Sequence, residues 1–249
     1  MTQFEKKLER TPYVYNWIRT IGNDVNSTTK NLVRLALSSI SKTYSAATPI
    51  LIDRVVSSLD RDTAIKAAST TGRTNSRQIV REYVEAFLDY DELRQYNGKP
   101  TFDQMVEPFR IGKGLIVPVK PLVNIVENGK LVPIFSVGWA SFPLTKFQVR
   151  LLATVLEDAV FTLSDFKNSP GEFICFPKNG KGIDAKRQPL VLKRGDFDLL
   201  PPAELRDCLH MYLDALEEAK AILREMPEAE KRPKEERRPD PRQMQMDLI

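Results

Sequence analysis

Apolar residues recur every three or four positions from residue 12 to about 96, whereas after Pro100 a stretch at Leu115, Val117 and Val119 alternates every second position. That change of period excludes an all-helical and an all-strand chain, because helices repeat at about 3.6 residues and strands at about 2. In the first stretch Asn26-Ser27 precedes Leu32, Val33, Ala36, Leu37, Ile40 and Tyr44, one apolar stripe of a helix. Thr48-Pro49 has the form of an N-cap followed by proline at the first helical position, leading into Val55, Val56 and Leu59. A third helix is predicted after Asn75, with Gln78 in a capping position and the pairs Ile79/Val80, Tyr83/Val84 and Phe87/Leu88 repeating every four residues up to Asn97-Gly98.

Beyond Pro100 the alternation of Leu115, Val117 and Val119 continues into Leu122–Val126 as strand. Asn128-Gly129 supplies the two positive-φ residues of a tight hairpin, and Leu131–Ala140 forms its return. Pro118, Pro121 and Pro133 each lack a ladder donor, which predicts an edge or a bulge near them. Thr145-Lys146-Phe147-Gln148 is a capping box opening a helix with Phe147, Leu151, Leu152, Val155, Ala159, Val160 and Leu163 inward. Two strands follow, Glu172–Phe176 and Pro189–Lys193, joined by the loop Lys178–Gln188. A last helix begins near Pro201-Pro202, and its Leu205, Leu209, Tyr212, Leu216, Ala219 and Leu223 have heptad spacing. A seam this short is predicted to dock on the sheet, with a homodimer through this helix as the second reading.

The fold class is therefore α+β: a helical N-terminal part over 1–98, then a ββαββα antiparallel sheet layer packed with helices over 99–224. From Glu225 the apolar period stops, and Pro227, Pro233, Pro239 and Pro241 punctuate a run of Glu, Lys, Arg and Asp. Residues 225–249 are expected to be a disordered tail, since they hold too little apolar surface to offset the entropy of ordering.

Composition narrows the chemistry. Two cysteines, Cys175 and Cys208, are too few for a disulfide framework or a four-ligand zinc site, and each is read as a small buried residue. The N-terminus has no apolar signal core and no uncharged stretch is long enough to span a bilayer, so the expected compartment is cytoplasmic, with no membrane partner. The single histidine, His210, has no second ligand at metal spacing. Gly112-Lys113-Gly114 and Gly180-Lys181-Gly182 lack the context of a phosphate-binding loop. Asp184-Ala185-Lys186, with Asp165 upstream, matches the acidic-x-Lys element of restriction-like nucleases, in which two carboxylates hold Mg²⁺ and the lysine orients water. Here the triplet sits in a glycine-containing loop without apolar strand neighbours. The reading therefore leans away from an enzyme, with no catalytic residue, metal site or cofactor assigned and a Mg-dependent nuclease as the alternative.

A net charge of +4 permits nucleic acid as a partner without requiring it. Lys178, Lys181, Lys186, Arg187, Lys193 and Arg194 form the densest basic feature of the body, placed to follow a phosphate backbone. Trp139, Phe142 and Phe176 would offer stacking faces if exposed. Arg73-Thr74-Asn75-Ser76-Arg77, between two helices, gives a weaker helix-turn-helix hint, one residue too long before Ile79.

The sharpest signal is Gln245-Met246-Asp247-Leu248-Ile249. This pentapeptide resembles the bacterial sliding-clamp-binding motif, whose usual form is Gln, then Leu or Met, then Asp or Ser, then Leu and Phe. The resemblance implies Gln245 as a polar anchor, Met246 and Asp247 as connector, and Leu248 with Ile249 as the plug of an apolar cleft. Ile249 stands where phenylalanine is preferred, which weakens rather than abolishes the expected binding. The eukaryotic-type box fits less well: Gln243 and Met246 have its spacing, but its closing aromatic pair is absent. The expectation is a non-catalytic accessory protein of DNA replication, repair or a mobile element, tethered to a clamp; a structural or assembly protein with an inert tail is the remaining alternative.

Overall fold

The computed structural model describes residues 3–38, 43–96, 105–180 and 185–227. In chain order the helices are α1 (Gln3–Glu9), α2 (Val14–Ile18), α3 (Val25–Leu37), α4 (Ala47–Ser57), α5 (Arg61–Thr70) and α6 (Arg77–Asp91). Then come β1 (Glu107–Gly112), β2 (Leu115–Val119), β3 (Val123–Glu127), β4 (Lys130–Val137), α7 (Lys146–Leu156) and β5 (Glu172–Cys175). The short β6 (Lys178–Asn179) and β7 (Lys186–Arg187) precede β8 (Leu190–Lys193) and α8 (Pro202–Glu225). Helices and sheets together make the α+β class.

The chain divides into two compact units. One comprises residues 12–19 and 41–206; the other comprises 1–11, 20–40 and the chain from 207 onward. The core of the larger unit crosses residue 98, where the sequence suggested a boundary. Leu51, Val55, Val80, Val84, Phe87 and Leu88 of the helices α4 and α6 share one buried cluster with Val123, Ile125, Val132, Ile134 and Ile174 of the sheet. The helical stretch cannot bury its apolar stripes alone, and the sheet supplies the other half of the core.

That sheet has the order β3-β4-β5-β8 and is mixed, not antiparallel as expected. β4 and β5 run parallel, with Phe135 beside Phe173 and Val137 beside Cys175. The reason is α7: a helix between consecutive strands carries the chain back to the end at which the first strand began, so the second runs parallel to it. Alternation along the strands turns Phe135 and Phe173 to the opposite face, where they meet Val149, Leu152 and Leu156 of α7 around a small apolar pocket. Pro133 lies just before the β4–β5 register begins at Ile134, so its missing N–H interrupts no ladder there. Asn128 and Gly129 take φ of 50° and 72°, the left-handed pair expected of a two-residue hairpin turn.

β1 is a strand the sequence reading did not anticipate; it pairs antiparallel with β2 in a separate two-stranded sheet. The expected Thr145 capping box is present, with Gln148 N–H donating to Thr145 Oγ1 at 3.2 Å. α7 passes into a π-helical turn at Glu157–Phe161. α4 begins at Ala47, so Pro49 falls inside its first turn rather than at its first position.

In the smaller unit α3 is capped by Asp24, and Ser27 completes the capping box. Thr29 Oγ1 donates to the Ala215 carbonyl at 3.3 Å and to Glu218 at 3.1 Å, joining α3 to α8. Arg224 donates to the buried Glu5 of α1 at 2.5 Å. Within this unit α8 is thus tied to α3 and α1. Of the seam residues Tyr212, Leu216, Ala219 and Leu223 are buried, and Leu205 and Leu209 are half-buried. Among the described residues, no helix is long and apolar enough to cross a membrane.

Candidate functional site

Lys178 and Arg187 face each other across the two-residue ladder of β6 and β7, and Asn179 faces Lys186. This ladder holds three of the six predicted nucleic-acid cations, Lys178, Lys186 and Arg187, in different settings. Arg187 corrects the sequence reading: its side chain is only 2% exposed. Its Nη1 donates to the carbonyl oxygens of Gly138 and Phe176, each at 3.0 Å. Its guanidinium also lies 5.7 Å from the Tyr44 ring centroid. A guanidinium held by backbone carbonyls inside the fold has no donors left to follow a phosphate chain.

Arg194 is likewise committed to the fold. It pairs with Glu157 at 2.9 and 2.5 Å and lies 4.2 Å from the centroid of Phe161. It also donates to the carbonyls of Phe166, Lys167 and Ser169, closing the segment that follows the π-helical turn. Lys178 pairs with Glu82 at 3.0 Å. Lys193 stands across the β5–β8 ladder from Glu172. Of the six, Lys178, Lys186 and Lys193 remain exposed, and Lys181 lies outside the described residues.

The cause is the outward face of α6. Gln78, Glu82, Glu85 and Asp89 are spaced by four, three and four residues, which puts them on one face. With Arg61, Lys186 and Arg187 they line an open polar cleft of about 430 Å³. Burial pushes the Glu82 carboxyl up, but hydrogen bonds from Lys178 and Gln78 and the charges of Lys178 and Arg187 outweigh it, so its pKa is lowered. Asp89 takes Arg61 at 2.6 Å and Glu85 takes Arg81 at 2.8 Å. Glu82 is therefore the acid of this face that meets the basic segment, through Lys178 and Arg187.

A second polar network sits at the other end of α6. Arg94 forks onto Glu127 at 2.8 and 2.7 Å and reaches Glu172 at 2.6 Å, while Tyr90 donates to Glu172 at 2.5 Å. Burial raises the pKa of Glu172 despite Arg94 and Lys193 nearby. Its carboxylate ties the start of β5 to the helix, and no part of the sequence pattern pointed to it.

The remaining candidates resolve simply. Trp139 and Phe176 are buried and present no stacking face, and Arg19 covers Trp139 at 5.3 Å from its centroid. His210 is exposed on α8, and Asp165 is exposed after the π-helical turn. Cys175 and Cys208 are both buried free thiols, and burial pushes Cys175 up to about 12. Among the described residues, no group of three His, Cys, Asp or Glu side chains could hold a metal ion. Asp184 and the peptide Gln245–Ile249 lie outside the described residues.

The cations that sequence reasoning missed are Arg110, Lys113 and Lys120, which belong to the β1–β2 ribbon. The usable signal was Gly112-Lys113-Gly114 flanked by alternating Phe109/Ile111 and Leu115/Val117, a hairpin pattern. Compared with known proteins, the chain matches no family model, no curated protein and no solved structure.

Proposed function

We propose that this chain is a non-catalytic accessory protein of DNA metabolism that docks on a bacterial sliding clamp through Gln245–Ile249. The observation that carries this reading is the pentapeptide itself, Gln-Met-Asp-Leu-Ile, set after a proline-punctuated charged run. In that run the residues from Glu228 to Gln243 are without Leu, Ile, Val, Phe or Met. A short peptide of this kind suits capture by a groove, where main-chain contacts give affinity and side-chain pockets give selectivity.

Burying two aliphatic side chains contributes on the order of 3–6 kcal/mol before ordering costs. That suits an exchangeable tether of roughly micromolar strength. The test is calorimetry of the intact protein against a purified bacterial clamp. Binding should be seen, should be competed by a peptide of residues 240–249, and should vanish in Leu248→Ala/Ile249→Ala with the melting temperature unchanged. No heat at high micromolar concentration, or destabilisation of the body by the double variant, refutes the reading.

A further inference from the structure

The ribbon of β1 and β2 is a two-stranded sheet of its own. Its register sets Phe109 against Val117, Arg110 against Ile116 and Pro108 against Pro118. Side chains alternate across a strand, so Phe109, Ile111, Val117 and Val119 are buried on one face. Phe109 anchors that face, its ring centroid 6.0 Å from that of Trp17. Pro108 and Arg110 are exposed on the other face. The tip is Lys113-Gly114, with φ of 49° and 76°, a left-handed pair that closes a two-residue turn. Gly112, at φ 113°, carries the register shift next to it.

Three cations mark this ribbon along its length: Lys113 at the tip, Arg110 midway and Lys120 one residue beyond β2. Among the described residues none of the three has an ion-pair partner, in contrast to Arg61, Arg94, Lys178, Arg187 and Arg194. Glu107 is the one acid between residues 107 and 120. In the 178–194 segment Lys178, Arg187 and Arg194 are paired within the fold, whereas the ribbon's three cations are unmatched.

We propose that the exposed face of this ribbon is a sequence-independent contact surface for double-stranded DNA. The class of partner rests on the DNA-metabolism reading above; the location rests on the ribbon alone. A major groove about 12 Å wide admits a two-stranded ribbon. At about 3.4 Å per residue, the seven steps from Lys113 to Lys120 span roughly 24 Å, enough to reach successive phosphates along a groove. The prolines argue against the other common use of a ribbon, addition of a further strand. Pro108 and Pro118 face each other and neither has an N–H, so the pair is a non-hydrogen-bonded one whose nitrogens point to the outer edges. Each edge thereby lacks a donor where an added strand would need one.

The experiment is fluorescence anisotropy of the intact protein with a random-sequence duplex over a series of salt concentrations. Wild type should bind at low salt with an affinity that falls steeply as salt rises. The variant Arg110→Gln/Lys113→Asn/Lys120→Gln should lower the log–log slope by roughly 2–3, at about 0.9 per lost phosphate contact. Asparagine is chosen at 113 because it tolerates the left-handed turn. A charge-keeping variant, Arg110→Lys/Lys120→Arg, should retain the slope. If the neutral variant unfolds, Glu107→Lys gives the reverse test and should steepen the slope by about 1. An unchanged slope, no duplex binding by wild type, or a ribbon-dependent preference for polyglutamate over DNA overturns the proposal. Clamp capture without DNA, measured in parallel, separates the two readings. Capture kept with no DNA binding overturns the ribbon alone, and DNA binding kept with no capture overturns the tether alone.

Discussion

Arg187 donates through Nη1 to the carbonyl oxygen of Gly138 at 3.0 Å, and that glycine has no room for a side chain because the Tyr44 ring fills the space a Cβ would take. The same guanidinium approaches Tyr44 Oη at 3.4 Å and Glu82 at 3.5 Å. One buried cation therefore joins β7, the end of β4, the approach to α4 and the outward face of α6. This is why a residue that reads as part of a basic loop behaves as part of the core.

Removing that cation should be costly. Arg187→Met leaves the carbonyls of Gly138 and Phe176 without a donor and Glu82 without one of its two cations. Breaking a buried pair in this way costs about 3–5 kcal/mol. Arg187→Lys should recover only part of it, because an ammonium cannot reproduce the planar fork. The urea midpoint of each variant checks this. A loss under about 1 kcal/mol for Arg187→Met would mean the residue is a surface cation after all.

Asp60 gives a pH signature. It caps α5, accepting the Thr63 backbone N–H at 2.9 Å. That bond, followed by the Thr63 side chain, lowers its pKa from the ordinary 3.8. A depressed folded pKa means stability that is fully present above the unfolded value and is lost as pH falls through the folded one. Asp60→Asn keeps a capping oxygen but cannot titrate. The difference in melting temperature between wild type and Asp60→Asn should therefore shrink or reverse only below about pH 4. A difference that is constant down to pH 2 counts against the cap.

The two thiols should be silent in the native protein. Cys175 is fully buried on β5 and pushed up to about 12, and Cys208 is buried on α8. Only the thiolate reacts, so neither should label with a disulfide reagent at pH 8 until denaturant is added, when both should. Rapid native labelling of either would place it in a locally opening segment.

What the sequence determined by itself is local. The Asn128-Gly129 turn, the Thr145 capping box, the α7 and α8 helices and the change from helical to strand period all depend on residues within a few positions of one another. Short-range backbone chemistry is enough to specify them. Only the tertiary structure decided which strands pair, and that β4 and β5 run parallel, because pairing brings together residues about 38 apart through α7. It also decided which cations find an acid. Lys178, Arg187 and Arg194 look alike in sequence to Arg110 and Lys113, yet the first three meet Glu82 and Glu157 across the fold. Charge has no period along a chain. Its partner is set by which surfaces come together, and for Arg187 that partner lies 105 residues away on α6.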